Sequence, residues 1–165
     1  MTTKKVIGFH NPDEEFGFMS NWSMEDFFID GRKYICVEQY MMYQKACLFN
    51  DSISANKILV AATPAEMKEL GRNVLNFNKD IWDKNKYNIV FTAVYAKFSQ
   101  NEELKKKLLE TGDATLAEAA LHDKIWGIGL RMGDPKIQNP TEWNGENLLG
   151  RALMETREQL RKENL

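Results

Sequence analysis

VEQYMMYQKACLF, Val37–Phe49, decides what kind of domain this chain can build. At about 3.6 residues per turn, the segment is apolar almost all the way round a helix, the pattern of a helix buried in the middle of a domain. Glu38 and Lys45 interrupt that pattern on one stripe, between Met41, Met42 and Phe49. Charged side chains seldom stay inside a protein unless they pair or perform chemistry. Two accounts fit these residues. One is a structural ion pair, or a lysine that snorkels to solvent. The other is a catalytic carboxylate and amine at the floor of a pocket.

Outward from this helix, the preceding residues read as a β-hairpin. Asp26 to Ile29 and Lys33 to Val37 flank Asp30-Gly31, which supplies the positive φ angles of a tight primed turn. Val6 to Phe9 reads as a short strand, followed by the turn-rich NPDEEFGF and by Ser20-Asn21-Trp22. Downstream, a helix is expected within Ser52 to Ala62. Thr63-Pro64-Ala65-Glu66 then starts another, with Thr63 as cap, Pro64 at the first helical position and Glu66 closing a capping box. A long helix covers Lys79 to Ser99. Asn101 caps a shorter one that Gly112 ends. Ala114 to Leu121 fits either a helix or a strand. Met132 to Glu146 is a long connection, of the kind that often carries function. Asn147 to Glu163 is an amphipathic closing helix whose basic residues gather late, where they suit the dipole. The expected fold is α+β and mainly helical: a single domain over residues 1–165 with a small β-sheet or hairpin and a buried central helix.

Composition narrows the function classes. An apolar fraction of 43% and a charged fraction of 28% over 165 residues are ordinary for a globular domain. The net charge of −2 gives no global basic footprint for bulk nucleic-acid binding, although it leaves room for a local phosphate pocket. No run approaches the roughly 18 apolar residues of a membrane span, and the basic N-terminus lacks an apolar signal core. Cys36 and Cys47 sit in apolar context, as reduced core thiols of a cytoplasmic protein do. With only His10 and His122 present, a histidine-built zinc site is not expected, and no metal or redox cofactor is called for.

Four places carry polar or aromatic residues that packing does not demand. They are the Glu38/Lys45 stripe, Asp123 with Trp126 ahead of Gly127 and Gly129, Trp82, and Asn21 with Arg72. Each has a plainer reading: an ion pair, a capped turn, a core aromatic, and a cation at a helix C-terminus. Their combination says more. Ser20-Asn21-Trp22, Glu38-Gln39-Tyr40 with Gln44-Lys45, Gly71-Arg72, and Trp82 in DIWDKNKY occur in an ordered series. The series continues through Lys97-Phe98, Leu116 to Glu118, Asp123 with Trp126-Gly127-Ile128-Gly129, and Asn147-Leu148-Leu149-Gly150 leading into Leu153-Met154-Glu155. In that order and spacing the chain resembles the NADAR family, the YbiA-like N-glycosidases, over most of its length.

The resemblance implies cleavage of a ribosyl C1′–N bond with a phosphate nearby. In one branch of the family the substrates are phosphoribosylamino-pyrimidine intermediates of riboflavin biosynthesis, and ribose 5-phosphate is released. In another, ADP-ribose is removed from guanine bases modified by toxin ADP-ribosyltransferases, which leaves modified guanine in single-stranded DNA open as a substrate of this chain. By matching motifs, the resemblance puts Glu38, Lys45, Trp82, Glu118, Asp123 and Trp126 in or near the pocket. Asn21, Trp22, Arg72 and Gly127 join them as substrate-binding candidates. Trp22 stands where relatives often carry a Phe.

The chemistry agrees. Breaking the bond develops positive charge on the sugar, so a carboxylate beside it stabilises the transition state. Glu38 or Asp123 can do this while the other activates water. A desolvated Lys45 can attack C1′ as the neutral amine and form a Schiff base with the opened ribose. Trp82 and Trp126 can flank the base, and Arg72 with Asn21 can hold the phosphate through a planar fork of donors. The expected ligand is a small phosphoribosyl or ADP-ribosyl compound. A non-catalytic nucleotide-binding module is the rival from another class; it predicts affinity without cleavage.

Overall fold

In the computed structural model, which describes residues 4–164, the chain forms two compact units. One is continuous, residues 24–100; the other, the terminal unit, joins residues 4–23 to 101–164.

The continuous unit opens with the hairpin: β1, Phe27–Ile29, runs antiparallel to β2, Arg32–Tyr34. Asp30 and Gly31 take φ of 51° and 79°, the left-handed turn that the Asp-Gly pair favours. The hairpin leads into α1, Val37–Leu48, which packs against α2, Ser52–Val60, α3, Pro64–Arg72, and α4, Lys79–Gln100. Being enclosed on several sides explains why so much of its circumference is apolar. Gln39, buried on α1, accepts a hydrogen bond from Ile35 N at 2.9 Å and donates to Ile58 O at 3.1 Å, so a core amide is fully used. At the far end of α4, Gln100 imitates a strand: its side chain accepts from Phe28 N at 2.8 Å and donates to Phe28 O at 2.7 Å, covering the edge of β1. Thr63 caps α3 as expected, accepting from Glu66 N at 3.2 Å. Glu66 reaches back to Ala62 N rather than to the cap residue itself, a box one residue wider than the motif.

In the terminal unit the strand at the start of the chain, β3 (Val6–Phe9), pairs in parallel with β4 (Thr115–Glu118), the segment that sequence patterning left between helix and strand. Leu116 and Ala117 are fully enclosed there, and Phe9 lies level with Glu118. A core of Val6, Ala117, Ala119, Ile128, Leu130 and Ile137 forms around the pair, with Trp143 against it. The unit also holds α5, Glu102–Glu110, and α6, Leu148–Glu163. Asn101 occupies the N-cap of α5, but its side chain makes no capping hydrogen bond. The long connection from Met132 to Glu146 is not structureless. It contains two 3₁₀ turns, Pro135–Gln138 and Pro140–Glu142, started by Asp134 and Asn139 side chains. Among the described residues no helix is long and apolar enough to cross a membrane.

Candidate active site

Lys45 is the polar focus of the continuous unit. It stands in the last turn of α1 and is half-buried. Its ammonium lies 4.7 Å from the ring centre of Phe77 and 5.6 Å from that of Trp82. Burial holds the Lys45 pKa below the usual lysine range, and the negative charge of Glu38 partly offsets this. Glu38, in the first turn of α1, is 5% exposed. Trp82 enters from the start of α4 and is itself buried. The amine thus packs against two rings instead of standing clear of the protein.

Phe77 was not legible as part of this group. It lies in the connection between α3 and α4, and Asp51 fixes that connection by accepting from Leu75 N at 2.9 Å while also capping α2 through Ser54 N at 3.1 Å. These bonds hold the Asp51 carboxyl below the usual range. Phe49, meeting Phe77 edge-on at 5.4 Å, backs the ring. Arg72 takes a different course. Its guanidinium is exposed and pairs with Glu69 at 3.4 Å in the last turn of α3, while Asn21, its expected companion at a phosphate, belongs to the terminal unit.

A second buried cation sits on α4. Lys97 is 1% exposed, and burial pulls its pKa down to about 8 against the opposing charges of Glu25 and Cys36. A lysine inside the apolar run VYAKF was the signal for it. Cys36 is not a nucleophile in waiting: burial pushes its thiol up to about 11, and it donates to Met67 Sδ at 3.5 Å.

In the terminal unit the candidate residues share a backbone network around the end of β4. Asp123 Oδ1 accepts from Ile125 N at 3.0 Å and Trp126 N at 2.8 Å, so this carboxylate caps the turn that presents Trp126. Ile128 N donates to Glu118 O at 2.9 Å, bringing the Trp126–Gly129 loop back beside β4. Gly127 is required sterically: a Cβ would lie 2.8 Å from Asp123 O and 2.9 Å from Glu118 O. Glu118 is buried, its carboxyl is raised above the usual range by desolvation, and His10 opposes that rise from 3.1 Å. Asn147, in the left-handed conformation ahead of α6, fixes the Glu118 backbone by accepting from Glu118 N at 3.0 Å and donating to Leu116 O at 2.8 Å. Asn21 and Trp22 sit in a separate turn after a 3₁₀ helix; Asn21 is buried and Trp22 is 36% exposed. No group of three or more His, Cys, Asp or Glu is placed to hold a metal ion among the described residues.

The NADAR domain model matches residues 8–161. The chain belongs to the NADAR domain family. Within it, the chain is 42% identical to an N-glycosidase of Acanthamoeba polyphaga mimivirus, over 96% of this chain and 98% of that protein. It is 33% identical to a riboflavin biosynthesis protein of Vibrio vulnificus, over 96% of this chain but 40% of that longer protein. Among solved structures, the NMR structure of the E. coli protein YbiA matches with a TM-score of 0.82 at 29% identity, covering 99% of this chain and 89% of that one. The α+β, mainly helical NADAR fold expected from the sequence is thus the one observed.

Proposed function

We propose that this chain is an N-glycosidase that hydrolyses the ribosyl C1′–N bond of phosphoribosylamino-pyrimidine intermediates of riboflavin biosynthesis, releasing ribose 5-phosphate. The observation that carries the proposal is the half-buried Lys45 amine, set between the rings of Phe77 and Trp82 on the same helix as the buried Glu38. N-glycosidase chemistry is supported by the names of relatives that match nearly full-length, and the riboflavin substrate by the Vibrio relative.

In this mechanism the neutral amine of Lys45 bonds to C1′ as the C1′–N bond to the base breaks. The departing nitrogen takes up a proton, and the ring C1′–O4′ bond then opens, O4′ taking the proton lost from the lysine nitrogen, so that the opened ribose is left as a Schiff base on Lys45. Water then adds to C1′ and expels the amine, restoring the enzyme. Desolvation favours the required neutral amine. Glu38 or Asp123 stabilises the positive charge on the sugar, and the other serves as base for water. Trp82 and Trp126 stack on the base. The family motifs assign Arg72 and Asn21 to the phosphate, a role for which Arg72 must leave Glu69, and Trp22 and Gly127 to the rim, with Glu118 assigned to the sugar hydroxyls. Both cysteines are free thiols, as a cytoplasmic setting permits, but only Cys36 is a core thiol; Cys47, expected in the core as well, is exposed.

The test is turnover of a phosphoribosylamino-pyrimidine and of ADP-ribosylated guanine, with ribose 5-phosphate and ADP-ribose as the products followed. Lys45→Ala and Glu38→Ala are each expected to lose about 10³-fold or more in kcat while unfolding cooperatively. Borohydride added during turnover should leave a reduced ribosyl adduct on Lys45. Near-normal rates in both variants would end the mechanism. Release of ADP-ribose alone would transfer the proposal to modified guanine, and binding without cleavage would favour the nucleotide-binding module.

A further inference from the structure

His10 has no place in the chemistry above, yet it is tied to a residue that has. It follows β3 directly, and its Nδ1 lies 3.1 Å from Oε1 of Glu118, at the end of the neighbouring strand. The other carboxyl oxygen, Oε2, is buried and has no hydrogen-bond partner. The Glu118 backbone is held on both sides, its N–H by Asn147 Oδ1 and its carbonyl by Ile128 N, so the side chain is presented from a fixed base. A buried carboxylate oxygen left without a donor has given up its hydration with no hydrogen bond in return, and native proteins retain few of them. A carboxylate with one oxygen anchored and the other unsatisfied can gain a hydrogen bond from a donor outside the chain without giving up one it already makes.

We propose that His10 is a positioning residue for ligand binding: it anchors Oε1 of Glu118 so that Oε2 accepts a hydroxyl of a ribose ring. Naming the ligand as a ribose rests on the glycosidase reading; the His10–Glu118 couple does not. The charged groups acting on this pair are Glu14, which favours the cation on His10, and Asp123, which opposes ionisation of Glu118. Glu118 accepts the ligand hydroxyl as the anion. Its burial raises the pH at which the anion forms, and His10 lowers it again. Removing His10 therefore moves the acid limb of kcat/KM to higher pH, which the loss of a merely structural contact would not do.

The chain contains two histidines, His10 and His122, so their ring protons can be followed one by one. By NMR, His10 should titrate above the ordinary histidine range in the native protein. It should fall back in Glu118→Gln. Added ribose 5-phosphate should shift the His10 signal in the native protein and not in Glu118→Gln. In turnover, His10→Ala should lose about tenfold in kcat/KM near pH 6, mostly through KM, with its acid limb displaced upward. His10→Asn, which keeps a donor, should recover most of the loss. Identical His10 titration in native and Glu118→Gln protein, or superimposable acid limbs in native and His10→Ala protein, would overturn the proposal. If the native protein cleaves neither glycoside, the glycosidase reading fails while the NMR arm still decides: a Glu118-dependent response to ribose 5-phosphate upholds the site, and no response overturns it.

Discussion

Lys45 is where charge, burial and aromatic contact meet. Its pKa is lowered by desolvation and raised by Glu38, two influences of opposite sign. If the free amine is the nucleophile, kcat/KM rises with pH until Lys45 has lost its proton. Glu38→Gln removes the influence that favours the ammonium, so the rising limb governed by Lys45, which lies above the one governed by Glu118, should move to lower pH in whatever activity remains. A limb that stays in place would mean that another group sets it. The sequence made this pair visible because two charges interrupt an otherwise apolar helix. Phe77 and His10 stayed hidden for a physical reason. An aromatic in a polar loop and a histidine after a strand carry no periodic signal, and their roles exist only through partners far along the chain, Lys45 and Glu118. Asp123 was legible in both senses, and the structure displays its cap of the Trp126 turn.

Helices and strands here are set by small residues at close approaches. A Cβ on Gly150, in the first turn of α6, would lie 2.1 Å from the Leu116 carbonyl of β4, a backbone atom that cannot step aside. A Cβ on Gly71 in α3 would meet Met42 Sδ of α1, the end of a flexible thioether chain that can choose another rotamer. Gly150→Ala should therefore cost about 3 kcal/mol or more and Gly71→Ala about 1–2 kcal/mol, read as shifts in the urea midpoint. The reverse order would show that Met42 is locked in place. Element boundaries were largely readable because local chemistry specified them: Asp30-Gly31 for the hairpin, Thr63-Pro64 for α3, Gly112 after α5. The parallel pairing of β3 with β4 was not, since nothing local to VIGF or TLAE names a partner more than a hundred residues away.

For the whole molecule, the net charge of −2 predicts how turnover responds to salt. A small phosphoribosyl substrate should be hydrolysed at nearly the same kcat/KM, within about twofold, between roughly 50 and 200 mM salt. A damaged base carried on single-stranded DNA would add a log–log slope of about −0.7 for each phosphate engaged, so a steep decline would identify that substrate instead. The terminal unit carries a consequence for synthesis. Val6–Phe9 leaves the ribosome long before Thr115–Glu118, its hydrogen-bonding partner, has been made. At about 5–20 residues per second, VIGF waits on the order of 5–20 seconds as an unpaired, sticky ribbon. The nascent chain is therefore most in need of chaperone cover at its very beginning, and a bulky N-terminal fusion partner should raise its soluble yield more than the same partner placed after α6.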